Sequence, residues 1–153
     1  MKKMVLIIFL GVILLLVGSL ILGVREDAQK KSDLRKIKIN DVSVEVYMAD
    51  DQEEQGNGLS RWEKLDKDKG MLFIYKEPRE VSFWMKEMKF PIDIIWINGG
   101  KVVGIEHSVP PPASPEETLK LYPSAGHIEY VLEVNGGFCK EKNISVGSSV
   151  VPQ

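Results

Sequence analysis

The chain has 153 residues, of which 27% are charged and 44% hydrophobic, and its formal net charge is −2. These values fit a single globular domain, exclude a largely disordered chain, and give no charge excess for binding nucleic acid. One cysteine, Cys139, excludes an internal disulfide and says nothing about redox compartment.

The first element is apolar. After Lys2-Lys3, residues 4–24 contain no charged side chain and are broken only by Gly and Ser. A run of about 21 residues is long enough to span the hydrocarbon core and longer than a usual signal-peptide core. Cleavage positions are poor, since cleavage after Gly23 would place Ile21 at −3 and cleavage after Ala28 would place Glu26 there, and no Cys follows for lipid attachment. The expectation is an uncleaved signal-anchor: a transmembrane helix over residues 1–24, a charged linker over 25–36, and a globular domain over 37–153. Lys2-Lys3 favours export of the domain, whereas Arg25, Lys30, Lys31, Arg35 and Lys36 on the other flank pull the opposite way. The reading adopted places the domain on the extracytoplasmic side of the cell membrane, with the membrane as partner through residues 4–24 and with no nucleic-acid partner.

Within the domain, "IKINDVSVEVYMAD" alternates strictly: Val42, Val44 and Val46 face one way and Ser43, Glu45 and Tyr47 the other. Ile37 and Ile39 precede this run across Asn40-Asp41, which predicts a β-hairpin. Asp50 or Asp51 can cap a helix with Glu53 and Glu54 in its first turn, kept short by Gly56 and Gly58. Strands follow over 70–75 and 81–86, with Pro78 in the intervening turn. "PIDIIWINGGKVVGIEH" predicts a second hairpin around Asn98-Gly99-Gly100. A loop of about twenty residues runs from His107 to Gly126, with a helical turn expected over 115–121. "IEYVLEV" (128–134) is a strand, "FCKEKN" a helical turn, and "ISVGSSVV" a closing strand. The fold class expected is mainly β (α+β): a compact rolled or barrel-like mixed sheet with one or two short helices.

Taken in order, "GLSRWEKL", "GMLFIY", "SFWMKEMKFPIDIIWI" and "YVLEVNGGFCKEKNISVG" resemble the DUF192 family of small prokaryotic domains, over almost everything after the linker. The resemblance implies a fold and boundaries. It implies no activity, because the family has no settled biochemical function. This sequence departs from the family's usual pattern at Ser60, where Met is common, at Glu87-Met88, where Asn-Thr is common, and at Ser148, where Asp is common.

Asp93 is the strongest site candidate. Ile95 and Ile97 share its face of the strand, Ile92, Ile94 and Trp96 take the other, and an ionised carboxylate there needs a cation or several N–H donors. Arg61 is the expected partner, with Lys86 second; the alternative is a carboxylate facing a pocket. Trp84 and Lys86 share a face of "FWMK" and are candidates to line a cleft, while Phe83 and Met85 read as core. His107, His127 and Cys139 match no compact ligand spacing, and Cys139 reads as a small packed residue, so no metal and no cofactor are expected. The candidate cleft is therefore Arg61, Trp84, Lys86 and Asp93, in a module binding a small molecule or a protein. The sequence leans against catalysis. Two alternatives stay open: an enzyme using Asp93 as acid or base, with Glu133 as second carboxylate, and a structural accessory subunit of an envelope complex.

Overall fold

The computed structural model describes residues 34–152, most of which form one compact unit from Arg35 onward. The apolar run and most of the linker lie outside the described residues. No helix among the described residues is long and apolar enough to cross a membrane.

The elements are β1 (Arg35–Ile39), β2 (Val42–Ala49), α1 (Gln52–Asn57), β3 (Lys69–Arg79), β4 (Ser82–Phe83), β5 (Ile92–Asn98), β6 (Lys101–Val109), β7 (Tyr122–Pro123), β8 (Ile128–Asn135), α2 (Phe138–Glu141) and β9 (Val150–Pro152). Seven strands form one mixed, mainly antiparallel sheet in the order β6-β5-β8-β3-β2-β1-β9, with β2 and β3 parallel; β4 and β7 form a separate two-stranded ribbon. The sheet curls into a half-barrel. Its two ends meet through residues 147–150: Val102 N donates to Ser148 O and Gly147 N to Val102 O on the β6 side. On the β1 side, Asn40 N donates to Ser149 O. Such contact protects part of the outer strands from unwanted pairing.

Local chemistry accounts for the turns. Ile39 pairs with Val42 across Asn40-Asp41, and Asn40 takes φ 51°, a left-handed conformation that Asn tolerates. At the second hairpin Gly99 and Gly100 take φ 55° and 67°, the values a two-residue turn demands of both central residues. Asp51 caps α1 by accepting from Glu54 N at 2.8 Å.

The sheet is buried on both faces. One core holds Ile37, Ile39, Val44, Val46, Leu72, Ile95, Ile97, Leu132 and Val134 with Phe138 and Cys139 of α2. The other holds Met71, Phe73, Ile92, Ile94, Trp96 and Val131, covered by Leu59, Leu65, Met85, Met88 and Tyr122 from the connecting segments. Central β5 and β8 therefore serve two cores at once, which is why both read as nearly continuous apolar runs.

Four expectations need correction. Pro78 is not in a turn, because β3 continues to Arg79, and an irregularity in its pairing with β8 between Ile74 and Arg79 accommodates the missing N–H. The strand expected over 81–86 ends at Phe83. The loop segment at 115–121 forms no helix, only a turn in which Glu117 N donates to Ser114 O. The closing strand is confined to Val150–Pro152, since residues 145–148 turn to reach β6.

Candidate functional site

The two faces of the β5–β8 ladder carry two buried carboxyl groups. Asp93 is fully buried, opposite Val134. Its Oδ1 accepts from Ser108 N at 2.7 Å and Gly137 N at 2.9 Å, and its Oδ2 from Cys139 N at 2.8 Å. Each donor is made available by a local irregularity. In β6 a bulge opposite Asp93 puts Ser108 at φ 47° and aims its N–H inward, while Gly137, at φ 86°, opens α2. The carboxylate thus ties β5, the β6 bulge and the start of α2 together. Cys139 lies against it, and burial first, then the Asp93 charge, push the thiol well above its ordinary range, leaving an inert packed residue.

The expected Asp93–Arg61 pair is corrected by these bonds. Arg61, its side chain 66% exposed, lies 3.8 Å from Glu53 Oε1 instead. Asp93 was satisfied by backbone donors, which sequence alone cannot place.

The second carboxyl is Glu133, opposite Ile94 on one side and Met71 on the other, hence on the opposite face from Asp93. It is 5% exposed, and its Oε2 has no hydrogen-bond partner among the described residues. Burial pushes its pKa up to about 8.

Glu133 contributes to the wall of an open cleft with a volume of about 280 Å³. One side is the last turn of α1 and its exit, from Gln55 to Ser60; the other is the β4 segment with Ser82, Phe83, Trp84, Lys86, Glu87 and Met88; Phe73 and Tyr75 come from β3. Each wall is fixed from outside. Gln55 Nε2 donates to Ile74 O at 2.8 Å and to Ala49 O at 3.2 Å, holding α1 to β3 and β2. Ser60 Oγ donates to Asn57 O at 2.7 Å. Phe83 packs edge-on between Phe73 (4.9 Å) and Trp96 (5.6 Å). Trp84 is 52% exposed, with the Lys86 ammonium 5.9 Å from its ring centre. Burial raises the Tyr75 phenol to about 12; Arg79 opposes this shift and Glu133 adds to it.

Of the four residues expected at the cleft, Trp84 and Lys86 line it together, whereas Arg61 and Asp93 are not among its lining residues. Phe83, read as core, is both packed and cleft-lining. Glu133, weighed only as partner to Asp93, lies where Asp93 was expected. The available signal was a carboxylate between Leu132 and Val134 in a strand as apolar as that of Asp93. At Glu87 φ is 59°, in a turn closed by Met88 N donating to Met85 O; Asn suits this conformation better, and nothing in the structure explains Glu in its place. At Ser148, the Oγ accepts from Ser145 N and Asn40 Nδ2, each at 3.1 Å, bonds an Asp could also accept.

Residues 35–152 match the family DUF192, described as an uncharacterized ACR. The chain belongs to the DUF192 family. Two crystal structures resemble this DUF192 domain. The first is a candidate transcription regulator from Sinorhizobium meliloti 1021, 26% identical, with TM-score 0.71 over 78% of this chain and 93% of that one. The second is a protein of unknown function from Novosphingobium aromaticivorans DSM 12444, 28% identical, with TM-score 0.69 over 77% of this chain and 84% of that one. No curated protein matches at a significant level.

Proposed function

We propose that this DUF192 domain is a binding module that takes a small molecule into the cleft between α1 and the β4 segment, and that residues 4–24 tether it to the extracytoplasmic face of the membrane. The observation that carries the binding reading is the Glu133 carboxyl, whose Oε2 has no hydrogen-bond partner among the described residues, beside an open cleft partly lined by aromatic rings. Leaving a buried polar group unsatisfied costs about 1–3 kcal/mol, a cost that a ligand's own hydrogen bond removes. Aromatic side chains and polar groups share the walls of this cleft, and small-molecule sites combine apolar surface with polar groups that fix orientation. Catalysis by Asp93 with Glu133 has little support, because sheet register turns the two side chains to opposite faces and three N–H groups occupy Asp93. A net charge of −2 offers no electrostatic basis for holding nucleic acid, so the regulator designation of the Sinorhizobium protein finds no support in this chain's charge.

Ligand-observed NMR on the full chain in lipid nanodiscs, with a library of small aromatic fragments, tests the binding reading. Fragments should bind, and Ser82→Trp, which fills the cleft from an exposed strand position, should displace them. Binding that ignores Ser82→Trp would refute the cleft. Protease added to intact spheroplasts tests the tether: digestion of the domain supports it, and protection until the membrane is opened contradicts it.

A further inference from the structure

We propose, resting on the cleft reading above, that the ligand is a compact organic ammonium ion whose charged head meets the Glu133 carboxyl while its apolar part lies against Phe83 and Trp84. Three observations point to this class. First, Glu133 is a carboxyl without a counter-ion: it forms no ion pair among the described residues, and its Oε2 forms no hydrogen bond. A buried acid left this way is most relieved by an incoming cation that also donates N–H bonds. Secondly, the carboxyl lies just beneath the cleft wall at Gly58. A β-carbon on Gly58 would stand 3.7 Å from Glu133 Oε2 and 3.3 Å from the Phe73 ring, so the glycine at φ 50° both makes the turn and keeps side-chain bulk away from the carboxyl. Thirdly, the exposed Trp84 ring borders the cleft beside the half-buried Tyr75 and Phe83, and it already stands 5.9 Å from the Lys86 ammonium, the kind of contact an aromatic face makes with a cation.

The cleft's volume of about 280 Å³ falls below the range of roughly 300–1,000 Å³ for drug-sized ligands, which limits the occupant to a small one. An anion gains little, since the Lys86 charge is offset by Glu87 in the same walls and ionisation of Glu133 would add a repulsive charge. The rival is a neutral ligand accepting a hydrogen bond from protonated Glu133. Proton traffic separates the two. Below about pH 8 the free site holds a proton on Glu133, and an ammonium ion that binds the carboxylate drives that proton into solvent. A neutral acceptor leaves it in place. The other titratable groups in the walls are Tyr75, from β3, and Lys86 and Glu87, from the β4 segment; the α1 segment contributes none.

The experiment is calorimetry on the full chain in nanodiscs at pH 7, with benzylammonium and benzyl alcohol as probes, each in buffers of differing ionisation enthalpy. Trp84 fluorescence, with Trp84→Phe as control, reports occupancy. The proposal predicts that benzylammonium binds at least about tenfold more tightly than benzyl alcohol and releases close to one proton. Its affinity should rise between pH 6 and pH 8, and Glu133→Gln should abolish both the preference and the release. Proton release from the unaltered chain tests the point independently of how that variant behaves. Equal binding of the two probes, blocked by Ser82→Trp and without proton release, would overturn the ammonium class and leave the cleft reading standing. If neither probe binds at millimolar concentration, the ammonium proposal falls; if the fragment library also finds no cleft ligand, so does the binding module.

Discussion

Asp93 and Glu133 sit one position apart across the β5–β8 ladder, Asp93 opposite Val134 and Glu133 opposite Ile94, and their carboxyl groups emerge on opposite faces of the sheet. One accepts three backbone hydrogen bonds; the Oε2 of the other accepts none. Burial is similar and provision of partners is not: one carboxyl ties three segments together, and the other borders an open cleft.

The Glu133 side gives a pH signature. Its folded pKa, about 8, lies above the ordinary carboxyl value of 4.5, so the folded state binds more protons than the unfolded chain between those values. The contribution is fully present below pH 4.5 and is lost as pH rises towards 8. Glu133→Gln removes this dependence and should stabilise the domain at pH 8 by on the order of 3–5 kcal/mol. Urea midpoints measured at pH 5, 6.5 and 8 check it. A parallel pH trend in protein and variant would contradict it.

On the other face, Asp93→Ala strands three inward-pointing N–H groups and should cost at least about 3 kcal/mol. Arg61→Leu, at an exposed position paired among the described residues with Glu53 at 3.8 Å, should stay within about 0.5 kcal/mol of the parent. The double variant should show simple addition, since no interaction couples the two sites. Recovery of stability in the double variant, seen in urea melts, would restore the Asp93–Arg61 pair.

Glu87 supplies a backbone prediction. A β-carbon at φ 59° is strained, and Asn reduces that strain through local hydrogen bonding. Glu87→Asn should raise stability by about 0.5–1 kcal/mol, read as a higher thermal midpoint. A fall would mean that the Glu87 side chain contributes more to the cleft wall than its backbone costs.

Much of the fold was legible from local chemistry. The Val42–Val46 alternation, the Asn40-Asp41 and Gly99-Gly100 turns and the Asp51 cap are decided within a few residues, and each forms where those residues require. Strand ends were less legible: β3 runs through Pro78, and β4 stops at Phe83, for reasons set by partners distant in sequence. The candidate site divides the same way. Trp84 and Lys86 could be named because they sit on one short segment. Glu133 could be named but not placed, because its face depends on pairing with Met71 and Ile94 rather than on its neighbours. The donors to Asp93 come from Ser108, Gly137 and Cys139, 15 to 46 residues away, and no side-chain pattern announces a backbone N–H.

Glu133 is a buried carboxyl whose Oε2 has no hydrogen-bond partner among the described residues, and its proton reports that environment. Glutamate side-chain carboxyl carbons can be labelled with carbon-13 in the full chain and followed by NMR from pH 3 to pH 10, with Glu133→Gln identifying the resonance. This carboxyl should titrate near pH 8, apart from the exposed glutamates, and saturating benzylammonium should move the midpoint down. A Glu133 midpoint in the ordinary carboxyl range, unmoved by the probe, would contradict it.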